Sequence, residues 1–129
     1  MVIIDIFPFE HKFFQLISHD LPFIEILHIR NGQPQKDKQH SSTELIIFHH
    51  LKLLDLNFAH EDYAEQFLLK KNAHLPRLLN LCMKYESLAK ITNNFTNDAT
   101  RFNFNKLKNL DLCDPFVRTE NFHEYFPLL

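Results

Sequence analysis

Glycine is almost missing from this chain: Gly32 is the single one among 129 residues. Phosphate-cradling loops, nucleotide-binding turns and hairpin-rich β folds all need residues that tolerate positive φ, so this scarcity argues against each of them. Cysteine is nearly as scarce. Cys82 and Cys113 have no Cys-x-x-Cys or zinc-ligand spacing, which fits a reducing compartment and plain thiols. No run approaches the length of a membrane span, and Asp5 stands where a signal peptide would carry basic residues, so a cytoplasmic or nuclear protein is expected. Clusters of one charge are missing too. The formal net charge is −2 and Lys and Arg are scattered along the chain, so the sequence lacks the electrostatic footprint of a nucleic-acid binder.

What is present is apolar and periodic. With 45% hydrophobic residues and fourteen Phe, the chain is built to pack one domain with a modest core. Within it the phrase aliphatic-x-x-aliphatic-x-aliphatic recurs as Met1-Ile4-Ile6, Ile24-Leu27-Ile29, Leu51-Leu54-Leu56, Leu78-Leu81-Met83 and Leu107-Leu110-Leu112, with starts 23, 27, 27 and 29 residues apart. A sixth start falls at Leu128. Chance alone supplies about two such triplets in a chain of this composition, so the even spacing carries the reading. Three copies share an aliphatic-Asp-aliphatic core at Asp5, Asp55 and Asp111, and Leu21-Pro22, Leu75-Pro76 and Phe126-Pro127 open the approaches.

Periods of roughly 20–29 residues are those of leucine-rich repeats, in which a short strand alternates with a helical or irregular return. The expected fold is α/β: a short, irregular leucine-rich-repeat solenoid over residues 1–129, with parallel strands near 1–6, 24–29, 51–56, 78–83 and 107–112 on the concave side. Helices and loops should form the convex side. Glu10 to Ser18 places Phe13, Phe14 and Ile17 on one face, and Glu61 to Lys71 does the same with Ala64, Phe67 and Leu68. The second segment begins with acids and ends with Lys70 and Lys71, the charge order that a helix dipole favours. Shorter helical turns are expected over Asn94 to Thr100 and Thr119 to Tyr125, and the polar segment 31–43 reads as an exposed loop.

Alternation along a strand assigns faces. The three aliphatic positions point into the core, and the residues between them line the concave side as columns. One column reads Asp5, His28, Asp55, Cys82 and Asp111; another reads Glu25, Lys52, Leu79 and Lys108; a third reads Ile26, Leu53, Asn80 and Asn109. Like charges are never adjacent within a column, as cross-strand repulsion demands. In this register Cys82 and Cys113 fall two residues out of line on neighbouring strands. Asp5, His28 and Asp55 read as a solvated polar row, which could also make binding sensitive to pH.

Nine histidines invite a metal reading through His49, His50, Asp55, His60 and Asp62, and His19-Asp20, with His11 upstream, is the dipeptide of HD-type metal phosphohydrolases. Such a site needs further ligands from separate helices, whereas His19-Asp20 stands directly before a strand approach. No Ser or Cys has a base and an orienting acid at a recognisable spacing. The phenylalanines lack interleaved Lys and Arg and read as core rather than as a base-stacking platform. Asn94-Phe95-Thr96 matches a glycosylation sequon and reads as chance.

The strand phrases, the Leu-Pro words and stretches such as His49-His50-Leu51-Lys52-Leu53-Leu54-Asp55-Leu56 and Asn105-Lys106-Leu107-Lys108-Asn109-Leu110-Asp111-Leu112 resemble the repeat region of F-box/leucine-rich-repeat proteins. The likeness covers most of the chain. It implies a solenoid that recruits a substrate for an SCF-type ubiquitin ligase, docked through an F-box. The F-box itself is not present here: Leu21-Pro22-Phe23-Ile24-Glu25-Ile26-Leu27 echoes its opening, but the polar segment follows where its helices should be. The chain also departs from the family at the turn. The position of the Asn or Cys that usually ladders down the stack is held by Phe9, Gly32, Ala59, Glu86 and Pro115. Neither end looks capped, so a fragment of a longer array is expected.

The expectation is therefore a non-catalytic module without cofactor, metal, nucleic acid or membrane, binding a protein partner through its concave columns. The competing reading is a free-standing interaction module or fragment without a ligase link, and a metal-dependent phosphohydrolase comes third.

Overall fold

The computed structural model describes residues 2–4, 11–31, 45–96, 100–112 and 120–126. It is a mixed α/β structure. In chain order the elements are β1 (Val2–Ile4), α1 (His11–Asp20), β2 (Ile26–Arg30), β3 (Ile46–Ile47), β4 (Leu53–Asp55), α2 (Glu61–Leu68), β5 (Ala73–His74), β6 (Asn80–Met83), α3 (Tyr85–Ile91), α4 (Arg101–Phe104), β7 (Asn109–Leu112) and α5 (Glu120–Tyr125).

Five strands form one parallel sheet in the order β1-β2-β4-β6-β7. Each expected strand window holds one of them. Ile26 pairs with Leu53, Leu53 with Asn80 and Asn80 with Asn109, so successive strands are offset by 27, 27 and 29 residues, as the phrases predict. The approaches repeat as well. The Glu25 carbonyl accepts from the N–H groups of Lys52 and Leu53, the Lys52 carbonyl from Leu79 and Asn80, and the Leu79 carbonyl from Lys108 and Asn109.

The first strand departs from expectation. Val2 pairs with His28 and Ile3 with Ile29, an offset of 26 rather than 23. A slip of three residues is odd and exchanges the two faces of the strand. The run Val2-Ile3-Ile4 is aliphatic on both faces, so the phrase cannot distinguish the two registers.

Leu27, Ile29, Leu54, Leu56, Leu81 and Met83 point inward and are at most 4% exposed. Phe14 from α1 meets Phe67 of α2 edge to face, with centroids 4.7 Å apart, and the same Phe67 ring lies against Phe48. Phe14 and Phe67 share one buried core with the inward side chains of the sheet, so α1 and α2 cover that side. A second aromatic cluster closes the C-terminal part, where Phe95 contacts Tyr85, Phe122, Tyr125 and Phe126.

Several local expectations are corrected. Helix α1 runs to Asp20 rather than Ser18. Helix α2 starts at Glu61, capped by His60, whose Nδ1 accepts from the Asp62 N–H at 3.1 Å. It ends at Leu68, short of Lys70 and Lys71, because the chain turns into β5; Asn72 Nδ2 donates to the Glu65 carbonyl across that turn at 3.0 Å. The two lysines therefore lie past the helix and do not complement its dipole. Helix α3 has no counterpart in the sequence reading.

A helical turn is expected over Asn94 to Thr100; residues 97–99 lie outside the described residues, and Asn93, Asn94 and Phe95 take left-handed φ values of 50°, 56° and 65°. Each costs a non-glycine residue roughly 1–2 kcal/mol. Burial of Phe95 in its aromatic cluster and the Phe95 N–H bond to Thr92 Oγ1 offset that cost. Of the predicted loop, Asn31 is buried and its carbonyl accepts from the His60 N–H; residues 32–43 lie outside the described residues.

The small parallel sheet of β3 and β5 is likewise unannounced by the sequence. Asn103 continues it. Its Oδ1 accepts from the Leu75 N–H at 2.9 Å, and its Nδ2 donates to the carbonyls of Ala73 and Leu68 at 3.0 Å each. Bonding the carbonyl before His74 and the N–H after it is what a residue on a third parallel strand would do.

Candidate functional site

The face of the main sheet opposite the helices is built from side chains that alternate with the buried aliphatics. Three columns cross it. The first reads Glu25, Lys52, Leu79 and Lys108 along the strand approaches, where Lys52 Nζ lies 3.3 Å from Glu25 Oε1. That cross-strand pair is half exposed, so it orders the face more than it stabilises the fold. The middle column is Ile26, Leu53, Asn80 and Asn109. Ile26 is 47% exposed, an apolar surface on the sheet, and Asn109 Nδ2 donates to Asn80 Oδ1 at 2.7 Å.

The third column is His28, Asp55, Cys82 and Asp111, in direct register across four strands. Asp5 was expected to head it. The register sets Val2 opposite His28 instead, and Asp5 lies outside the described residues. Among the described residues the row holds one carboxylate-imidazole pair. His28 Nδ1 donates to Asp55 Oδ2 at 2.8 Å, which fixes the imidazole tautomer. Asp55 Oδ1 accepts from the Asn57 N–H at 3.0 Å.

Burial alone would raise the Asp55 pKa, but the Asn57 N–H, the His28 imidazole and the Cys82 thiol together hold it below the ordinary carboxylate value. Asp55 is thus an ionised, fixed acceptor. On its far side the Cys82 thiol points at Asp111 Oδ2, 3.6 Å away. Asp111 occupies the position facing Cys82, and Cys113 lies outside the described residues. Between the middle and third columns runs an open depression of about 270 Å³, floored by Leu53, Asn80, Cys82 and Asn109 and edged by Asp55 and Asp111.

Of the thirteen residues predicted to form the face, twelve occupy the expected register on four adjacent strands or their approaches; Asp5 lies outside the described residues. The sequence reading missed a further row beside them. Phe23 is 75% exposed and its ring lies 5.1 Å from that of His50, whose Nδ1 is 3.4 Å from Arg77 Nη1. The signal was available, because these residues stand 27 apart like the strand phrases. Burial and the neighbouring His49 lower the His74 pKa.

The histidines and acids singled out for a metal do not converge: among the described residues, no group of three His, Cys, Asp or Glu side chains is arranged to hold an ion. His19 and Asp20 form an exposed local pair at the end of α1. No described helix is long and apolar enough to cross a membrane. Comparison with protein-family models, curated proteins and solved structures gives no match to this chain.

Proposed function

We propose that the chain is a short, irregular leucine-rich-repeat solenoid that binds a protein partner across the three columns of its open sheet face, without catalysis. The observation that carries this reading is the offset of 27 to 29 residues between in-register strands, joined by the same backbone bonds at each approach. Stacked units of this kind present a continuous surface on which neighbouring side chains are held at fixed distances. The face combines exposed Ile26, partly exposed Leu53, paired carboxamides and an ionised carboxylate, a mixture suited to a protein surface. The resemblance to F-box/leucine-rich-repeat proteins gives the role its concrete form: substrate recognition within a ubiquitin-ligase receptor. The same face serves equally a free-standing interaction module, since fold does not fix function.

A photo-reactive phenylalanine analogue placed at Leu53 or Asn80 tests the face, with Glu65 on α2 as the control position. Partner adducts from the first two and not from the control are expected; equal adducts from all three sink the assignment. Co-purification of a cullin with the product of the full transcript tests the ligase role. A product free of cullin removes that role and leaves the binding module.

A further inference from the structure

The sequence scatters its basic residues, but the fold collects three of them. Arg77 and Lys106 share one register position on successive units, because Asn80 pairs with Asn109 three residues on from each. Lys108 follows two residues after Lys106, and its N–H is bonded to the Leu79 carbonyl. All three are exposed, and no carboxylate among the described residues pairs with any of them. His50 holds the Arg77 guanidinium from the other side and stacks on Phe23. The result is an edge with an apolar ring at one end and three cations at the other.

We infer that this approach edge, formed by Phe23, His50, Arg77, Lys106 and Lys108, binds an acidic segment of a protein partner. The inference rests on the proposed binding face only in taking the occupant to be protein; its chemistry comes from the edge. Neighbouring strands lie about 4.8 Å apart and residues two apart on one strand about 6.6 Å, so Arg77, Lys106 and Lys108 cover less than about 10 Å, room for two carboxylates of an extended segment. A nucleic acid fits worse. A polyanion longer than the edge would run onto the Asp55 and Asp111 column. The exposed Phe23 ring gives an apolar residue next to the acids a place to sit, with His50 closing one side of it.

The test uses fluorescence anisotropy with a dye-labelled peptide in which glutamate alternates with alanine, a lysine-alanine peptide of the same length, and an oligothymidylate of matching charge. The double variant Arg77→Glu/Lys106→Glu is compared with Lys70→Glu/Lys71→Glu, which changes the net charge equally on the turn after α2. The glutamate peptide should bind the unmodified protein, with affinity falling as salt rises. It should weaken by at least about tenfold in the edge variant and by no more than about twofold in the turn variant, since exposed charges act over about a Debye length. Arg77→Gln/Lys106→Gln repeats the test if charge reversal disturbs the circular dichroism spectrum.

Equal loss in both variants, failure of the glutamate peptide to bind, or oligothymidylate binding of equal strength overturns the inference. Adducts at residue 53 with no glutamate-peptide binding would overturn the edge and leave the face standing. Peptide binding without those adducts would support the edge and sink the face.

Discussion

Asp55 is the residue on which the open face depends most directly. It receives bonds on both oxygens, from His28 at 2.8 Å and from the Asn57 backbone at 3.0 Å, and both donors come with the strand register. Burial raises its pKa, while the Asn57 and His28 bonds, His28 charge and the Cys82 thiol lower it further than burial raises it. A folded value below the unfolded one means that folding favours the ionised carboxylate. The associated stability is complete above the ordinary value of 3.8 and fades as pH falls through the lower, folded value. Asp55→Asn keeps an acceptor for the Asn57 N–H but removes the charge. Urea melts of the two proteins should therefore differ at mildly acidic pH, and the gap should close as pH falls below 3.8. A gap that persisted unchanged well below 3.8 would show that the carboxylate is not held ionised by these partners.

At the scale of the element, the instructive case is Asn103 at the edge of the β3-β5 sheet. Its carboxamide is buried and makes three bonds, to Leu75, Ala73 and Leu68, standing in for the backbone of a third strand. Asn103→Ala would leave one N–H and two carbonyls without that partner inside the protein. Each such group costs roughly 1–3 kcal/mol, so a loss of about 2–4 kcal/mol is expected once water reaches some of them. Asn103→Asp keeps the oxygen for Leu75 but sets a carboxylate against two carbonyls, and should lose at least as much. Chemical denaturation measures both, and an Asn103→Ala loss under about 0.5 kcal/mol, the scale of ordinary surface substitutions, would remove this role.

The same comparison explains what was legible. A parallel strand buried on one side writes aliphatics at fixed offsets, so β2, β4, β6 and β7 and their columns could be read from the chain. The two-residue strands Ile46–Ile47 and Ala73–His74 share no residue type and are held by backbone bonds, leaving no side-chain pattern to find. The end of α2 was set by Asn72, a contact across a turn rather than a periodicity. In β1 the pattern was present but two-sided, and there the register failed.

For the whole molecule, the packing is uneven along the sheet. Inward residues of β2, β4 and β6 are nearly inaccessible, whereas Leu110 and Leu112 of β7 are half-buried although Leu107, just before them, is fully enclosed. Among the described residues β7 also pairs with β6 alone, while β4 and β6 each have a strand on both sides. If stability is a sum of units and the interfaces between neighbours, the strand with one interface and a half-open core should open first. Hydrogen exchange under native conditions should then show the backbone amides of β4 and β6 exchanging slowest and those of β7 at least about tenfold faster, a difference of about 1.4 kcal/mol in opening free energy. Leu54→Ala, at a fully enclosed position in the middle of the stack, should cost about 2–5 kcal/mol and accelerate exchange in β2 and β6 together, because both lean on it. The same truncation at Leu112 should cost less and leave β2 unchanged. Uniform protection across the sheet, with every truncation felt equally everywhere, would mean that the strands open as one cooperative block, and the description of the chain as stacked units would have to be given up.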